Sequence, residues 1–320
     1  MPLSTPVVFL IFRRPDLTAR VFELIRKAQP TKLLIVADGP KDEKESLLCQ
    51  QARSIAENVD WDCEILRNYS DVNLGCRKRI SSGLDWAFDN VEEAIILEDD
   101  CLPDVSFFQF CQSLLKRYRC DERIMMVSGS NFQLENEKIK DSYYYSKYMH
   151  VWGWATWRRA WKHYDVEMNS WQTFKEKELL NSVCRDLCEV EYWLNIFDKV
   201  ADGTINSWAY QWVYACWQQS GMSVVPSVNL ISNIGFRDDA THTSSQESPL
   251  ASRATSEICD ISHPAFVVNN IEADNYSFDH IFGGKKMKFE KTRIGKTIRL
   301  LRDFKAILSK KYRSYHDAVL

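Results

Sequence analysis

The apolar run Val7–Phe12 ends at Arg13-Arg14, and Pro15-Asp16 then introduce Leu17, Val21, Leu24 and Ile25 on one face of a predicted helix. The alternation repeats. Leu33–Ala37 is an apolar run, and a helical pattern follows through Leu47, Leu48, Ala52 and Ile55. Glu64–Leu66 is a short strand, Ile80–Phe88 a helix, and Ala94–Leu97 another buried strand. Continuous apolar strands between amphipathic helices predict an α/β fold with a mainly parallel sheet flanked by helices. In such sheets ligands sit beyond the carboxyl ends of the strands.

From about Tyr143 the texture changes, with fewer clear strands and more aromatic residues. Arg237–Glu257 is polar and Ser/Thr-rich and reads as a mobile loop. In Lys285–Arg313, Ile294, Ile298, Leu301 and Phe304 recur at near-helical spacing among basic residues. The chain divides accordingly into residues 1–130, 131–260 and a C-terminal extension, 261–320. It has no internal repeat.

Composition changes the picture at three points. Hydrophobic residues make up 45% and charged residues 27%, which excludes a disordered or fibrous chain. Net charge is only −3, so nothing points to a nucleic-acid partner. That total hides an asymmetry: Lys285–Arg313 holds twelve basic and two acidic residues, +10, leaving −13 elsewhere. The basic segment suits either an anionic membrane surface or a solvated helix packed on the domain. The ten cysteines include no CxxC and read as reduced core thiols. Val7–Phe12 is too short for a signal peptide or membrane span. The expected location is cytoplasmic, with any membrane contact peripheral, at its inner face.

The strand ends carry the chemistry. Ala94–Leu97 runs into Glu98-Asp99-Asp100, three carboxylates that repel one another and lose solvation, so a divalent cation is the natural counter-charge. In extended chain Glu98 and Asp100 face one way and Asp99 the other. An acidic turn capping the next helix is the competing explanation. Arg13-Arg14 follow the first strand, where a base or phosphate can lie. Asp38-Gly39-Pro40 follow the second, and Asp38 can accept a uracil imide hydrogen or simply serve a β-turn. Arg77, Lys78 and Arg79 can face a pyrophosphate or remain solvated.

Ile95–Asp104 with Phe107-Phe108 resembles the metal-binding strand of GT-A glycosyltransferases. It is most similar to that of inverting β-1,2-N-acetylglucosaminyltransferases and related bacterial sugar transferases. The likeness extends to Val8–Arg14, Ala37-Asp38-Gly39, Val127–Asn131 and His150–Trp154. It continues weakly through Ser207–Trp212 and Asn233–Phe236, spanning roughly residues 5 to 243. The resemblance implies a glycosyltransferase that takes a nucleotide-diphosphate sugar, UDP-linked, and uses Mn²⁺ or Mg²⁺. Transfer would go to a glycan or lipid-linked hydroxyl, with inversion. It places Asp100 on the metal, Asp99 on the ribose, and Glu98 on the sugar or behind the metal ligands. Asp38 falls on the uracil, Arg13 or Arg14 at the nucleotide and Phe236 in a loop closing over the donor. His242 is a further phosphate or metal contact.

One departure stands out. The family places a base Asp in the window that reads Ser207-Trp208-Ala209-Tyr210-Gln211-Trp212 here, and Ala209 lies at the expected position. Asp238, Asp239 and Glu191 are the candidate replacements; the alternative is a catalytically impaired sugar-nucleotide or glycan-binding homologue. Nine of the eleven tryptophans lie between Trp152 and Trp217. Trp152, Trp154, Trp208 and Trp212 are the candidate acceptor contacts, against a purely core role. Gly295-Lys296-Thr297 imitates a P-loop, but the upstream glycine position is Glu290. No Gly-rich loop follows the first strand, which disfavours dinucleotide binding and nucleotidyl transfer.

Overall fold

A computed structural model describes residues 2–133, 139–237, 248 and 250–292. Its first half alternates as the hydrophobic pattern predicts: β1 (Val7–Ile11), α1 (Pro15–Ala28), β2 (Lys32–Ala37), α2 (Glu43–Glu57), β3 (Glu64–Tyr69), α3 (Gly75–Asn90) and β4 (Glu93–Glu98). There follow β5 (Cys101–Pro103), α4 (Ser106–Tyr118), β6 (Ile124–Ser128), β7 (Tyr143–Ser146) and β8 (Trp154–Trp157). A helical stretch comprises α5 (Arg158–Trp161), α6 (Trp171–Glu176), α7 (Leu180–Val183), α8 (Leu187–Ala201) and α9 (Ala209–Gln218). The described chain closes with β9 (Met222–Pro226), β10 (Ile231–Asn233), α10 (Ile271–His280) and α11 (Gly284–Lys291).

Eight strands form one sheet in the order β3-β2-β1-β4-β8-β6-β9-β7. It is mainly parallel; β8 runs antiparallel between β4 and β6, and β7 antiparallel at the edge. Register is set at the centre, where Val7 pairs with Leu33 on one side and Ile95 on the other. The central strands are apolar on both faces because helices cover both. One face packs Phe9, Ile35 and Leu97 under α1, α2 and α4, and the other packs Val36 and Ile96 under α3 and α5–α9.

Local chemistry starts the helices where the pattern places them. Pro15 fixes φ in the first turn of α1, while Arg26 and Lys27 sit in its last turn, matching the helix dipole. Asp42 caps α2, accepting from the Glu45 N–H at 3.0 Å.

Most of the tryptophans prove to be core. Trp154 is fully buried, with ring centroids 5.6 Å from Trp212, 5.8 Å from Trp208 and 6.2 Å from Trp161. All ten cysteines are free, as expected, and six are buried. Cys63 and Cys76 are half-buried, however, and Cys120 and Cys259 exposed, so not all are core thiols.

The described start of the basic segment is α11, and it packs against α8. Lys288 pairs with Asp279 at 2.7 Å and Asp186 at 3.1 Å, and Lys291 with Glu191 at 2.6 Å. Much of the positive charge of α11 is therefore already matched by the domain. Residues 293–313 of that segment lie outside the described residues. Among the described residues no helix is long and apolar enough to cross a membrane.

Candidate functional site

The carboxyl ends of β1, β2 and β4 converge on one cleft. Arg14, one turn past β1, reaches the acidic triplet. Its Nη2 bonds Asp99 Oδ1 and lies 2.9 Å from Asp100 Oδ2. The Phe12 N–H donates to Asp99 Oδ2 at 3.3 Å. Arg14 is thus the internal counter-ion of the triplet. Burial opposes its charge, but Asp99 and Asp100 outweigh that and raise its pKa further.

The same enclosure acts on the acids. Burial, then the charges of Asp100 and Asp99, raise the Glu98 carboxyl to about 8 despite Arg14. Burial also raises Asp99, partly offset by Arg14. One guanidinium thus stands against three crowded carboxylates, and their mutual repulsion together with burial favours the protonated form of Glu98 in the absence of further positive charge.

A two-stranded ribbon, built from segments far apart in sequence, covers Asp100. β10 pairs antiparallel with β5, Asn233 opposite Cys101, and the Ile234 N–H donates to the Asp100 carbonyl at 2.9 Å. Gly235 follows. A Cβ on it would lie 2.1 Å from Asp100 Oδ2, so only glycine permits this approach. Phe236 is buried edge-to-face on Trp152, centroids 5.7 Å apart.

Two adjoining cavities share Arg14, Cys76, Glu98 and Asn206. The first, about 350 Å³, lies over β1 and β2, with Phe12, Val36 and Ile80 beside Asp38, Asn73, Arg79 and Asp99. Its apolar walls and convergent polar groups suit a flat, polar-edged ligand. The second, about 510 Å³, is walled by Asp100, Trp152, Ser207, Trp208, Ala209, Tyr210 and Asn233. Glu98 and Arg14 therefore stand at the junction, with Asp100 facing the second cavity.

Position 209 faces this second cavity from the first residue of α9. The window thus opens onto Glu98 and Asp100, and at position 209 it presents only a methyl group. Ser207 Oγ accepts from the Ala209 N–H at 3.1 Å and supports this helix start. Trp152 and Trp208 line the cavity, but Trp154 and Trp212 do not. Trp212 is fully buried, its indole N–H directed at Met126 Sδ at 3.4 Å. The i, i+4 pairing of Trp208 and Trp212 is real, but it points one ring at the cleft and the other into the core.

Asp38 lines the first cavity, but its carboxylate is committed. Oδ1 accepts from the Gly39 and Leu74 N–H groups at 2.9 Å each, and Oδ2 from Asn73 Nδ2 and the Gly75 N–H at 3.1 Å each. Four donors use its acceptor capacity, so here it anchors the start of α3 instead of presenting a free imide acceptor. Gly39 makes this possible, because a Cβ there would be 2.5 Å from the Val72 backbone.

Arg13 lines the first cavity and pairs with Glu45 of α2. Other candidates are placed elsewhere. Arg77 turns away from both cavities, donating to the Val166 carbonyl at 2.5 Å and lying 3.3 Å from Glu167. A pyrophosphate contact is therefore not built around it. Glu191 is exposed on α8, paired with Lys291, and lines neither cavity, which removes it as a base. Asp238, Asp239 and His242 lie outside the described residues.

Arg79, the third cation of the run Arg77-Lys78-Arg79, is instead buried and donates to the Asn68 carbonyl and side chain at 2.6 Å each, flooring the first cavity. The structure also adds residues that the sequence reading did not single out for this site. Asn73, Cys76 and Asn206 also line the cleft. The available signal was Asn73-Leu74-Gly75 before the α3 pattern, a turn that takes Gly75 to φ +76°.

The donor set bears on a metal. Among the described residues no three His, Cys, Asp or Glu side chains gather as a closed metal site. Asp100, with Glu98 beside it, suits an ion that uses one or two carboxylates and takes its remaining oxygens from phosphate and water.

No protein-family model and no curated protein matches this chain. Among solved structures, UDP-glucose pyrophosphorylase complexed with UDP-glucose is similar at TM-score 0.30 and 12% identity, over 50% of this chain and 78% of that one. A likeness that loose bears on neither activity nor ligand.

Proposed function

We propose that this chain is a metal-dependent glycosyltransferase. In this reading it moves a sugar from a nucleotide-diphosphate donor, UDP-linked, to a hydroxyl of a glycan or lipid-linked acceptor, with inversion. The observation that carries the reading is the bipartite cleft. A half-apolar cavity at the β1–β2 edge, which holds Asp99, meets an aromatic-walled cavity, which holds Asp100 and residue 209, at Glu98 and Arg14. The nucleoside would occupy the first cavity, with Asp99 near the ribose. The sugar and acceptor would occupy the second, against Trp152 and Trp208, whose ring faces suit apolar sugar faces.

Asp100, supported by Glu98, would hold Mn²⁺ or Mg²⁺. When bound, such an ion neutralises charge on the departing nucleoside diphosphate. Arg14 supplies a second, protein-borne positive charge at the same junction. The acceptor proton needs a base, and Asp238 and Asp239, a short distance past Phe236 in sequence, remain the candidates.

Thermal unfolding with a panel of nucleotides and nucleotide sugars, with and without Mn²⁺, tests the reading. UDP with Mn²⁺ should raise the midpoint more than either alone, and no stabilisation by any nucleoside diphosphate would remove it. A second reading, a binding protein that has lost catalysis, is favoured by the methyl group at position 209. Tight donor binding with neither hydrolysis nor transfer would decide for it.

A further inference from the structure

We propose that Arg14 holds the cation's place on Asp100 until a nucleoside diphosphate arrives, so that metal enters with the nucleotide and not before it. The inference rests on the reading above and adds an order of binding that the reading does not require.

Three observations carry it. First, Asp100 Oδ2 is hemmed in from two directions. Arg14 Nη2 stands 2.9 Å from it, and Gly235 approaches so closely that a Cβ there would lie at 2.1 Å. The other oxygen, Oδ1, has Cys101 Sγ at 3.5 Å. A Mg²⁺-sized ion needs to sit about 2.0–2.1 Å from its carboxylate oxygen. On Oδ2 such an ion competes with a guanidinium of like charge at 2.9 Å, on an oxygen already crowded by Gly235.

Second, Arg14 has somewhere to go. It lines both cavities, and so already borders the space between nucleoside and sugar. Its backbone is pinned, with the Thr18 N–H and Oγ1 donating to its carbonyl at 2.9 and 2.8 Å. The side chain can therefore exchange partners without moving α1. A diphosphate offers a guanidinium the paired, anionic oxygens it binds best.

Third, the partner it keeps differs from the one it releases. Asp99 is buried, is also held by the Phe12 N–H, and faces the first cavity, whereas Asp100 faces the second. Arg14 can thus stay on Asp99 and release Asp100 towards the incoming phosphates. Arg13, which pairs with Glu45, lines the first cavity only, so Arg14 is the arginine of the two that borders both Asp99 and Asp100. The free protein then binds metal weakly because its competent state is sparsely populated, and the nucleotide removes that penalty.

Mn²⁺ binding to the full chain, read by the electron paramagnetic resonance of free Mn²⁺ with and without UDP, tests this without reference to turnover. The wild type should bind Mn²⁺ at least tenfold more tightly with UDP. Arg14→Met should bind Mn²⁺ without UDP about tenfold more tightly than the wild type, and its gain from UDP should shrink. Arg14→Lys, which keeps a cation, should retain weak nucleotide-free binding. If Arg14→Met loses its native circular dichroism, Arg14→Gln, which can still donate to Asp99, replaces it with the same expectation. Equal Mn²⁺ affinity of wild type with and without UDP overturns the gating and leaves the metal reading standing. So does a folded uncharged variant with wild-type nucleotide-free affinity. Absence of Mn²⁺ binding in every protein, with UDP present, overturns the metal reading and the gating together.

Discussion

Gly235→Ala is a one-methyl test of how closely the β10 ribbon holds Asp100. Gly235 is not in the left-handed region, so alanine meets no backbone strain. Its new Cβ would, however, lie 2.1 Å from Asp100 Oδ2, 2.7 Å from Cγ and 2.8 Å from Cβ. Restoring ordinary contact requires a relative shift of about 1 Å, which must come from the Asp100 side chain or the ribbon. Overpacking of this kind costs about 1–3 kcal/mol. The loss of glycine entropy in the unfolded chain returns about 0.4–1 kcal/mol. The expected net destabilisation is therefore about 0–2.6 kcal/mol, measured by urea unfolding.

Binding should suffer more than stability. A displaced Asp100 loses its alignment with Arg14 and with any ion it holds, and disturbing the support of a metal ligand costs about 10–100-fold in affinity. Calorimetric titration of UDP should show this loss with Mn²⁺ present and little change without it. A double-mutant cycle isolates the cause. In an Asp100→Ala background only the 2.8 Å approach to Cβ remains, so the stability cost of Gly235→Ala should fall by about 1 kcal/mol. Equal cost in both backgrounds, or wild-type UDP–Mn²⁺ affinity in Gly235→Ala, would refute the reasoning.

Other predictions follow from the same geometry. Asp100→Ala should abolish the Mn²⁺-dependent part of UDP affinity; retained Mn²⁺-stimulated binding counts against the site. Ala209→Asp should gain or raise transferase activity if the family's base position is preserved, and unchanged turnover removes that register argument. Trp212→Ala, a cavity in the core, should destabilise by about 3–5 kcal/mol, whereas Trp208→Ala should lower acceptor use as well. Burial raises Asp274 to about 6 and lowers His150 to about 4. Asp274 holds its proton more firmly when folded, so its contribution to stability falls as pH rises from about 4 to 6. His150 holds its proton less firmly when folded, so its contribution rises with pH over about 4 to 6.5. Asp274→Asn should therefore make the stability–pH slope more positive in this window and His150→Gln more negative, each by up to about 1.4 kcal/mol per pH unit. Parallel profiles for wild type and both variants would contradict these assignments.

How much of this was legible in the chain depends on how local the cause is. The strands β1, β2 and β4 are bounded by apolar runs that end in charged residues, so both the sheet and the position of Glu98-Asp99-Asp100 at its edge follow from neighbouring residues. The later strands are not written that way. β8 is Trp154-Ala-Thr-Trp, and what makes it a strand is a place between β4 and β6, supplied by residues far away in sequence. The same distinction separates the good and poor assignments of side chains. Asp38 after a strand is a plausible ligand by pattern, yet its four donors come mainly from residues 73–75, and nothing near Asp38 in sequence reveals that they return to it. Arg77 looks like one of three equivalent cations, and only the 164–168 loop separates it from the buried Arg79.

The tryptophans make the point quantitatively. Two rings four residues apart on a helix share a face, but a face about 100° wide can border both a core and a cleft. Spacing cannot say which ring does which. Trp212 is sealed against Trp154 and Trp161, whereas Trp208 lines the cleft one turn earlier, beside the α9 start. Burial alone does not divide them, since Trp208 is only 4% exposed. What divides them is the open space beside Asp100 and Glu98, which Trp208 borders together with the methyl group of Ala209 and which Trp212 does not reach.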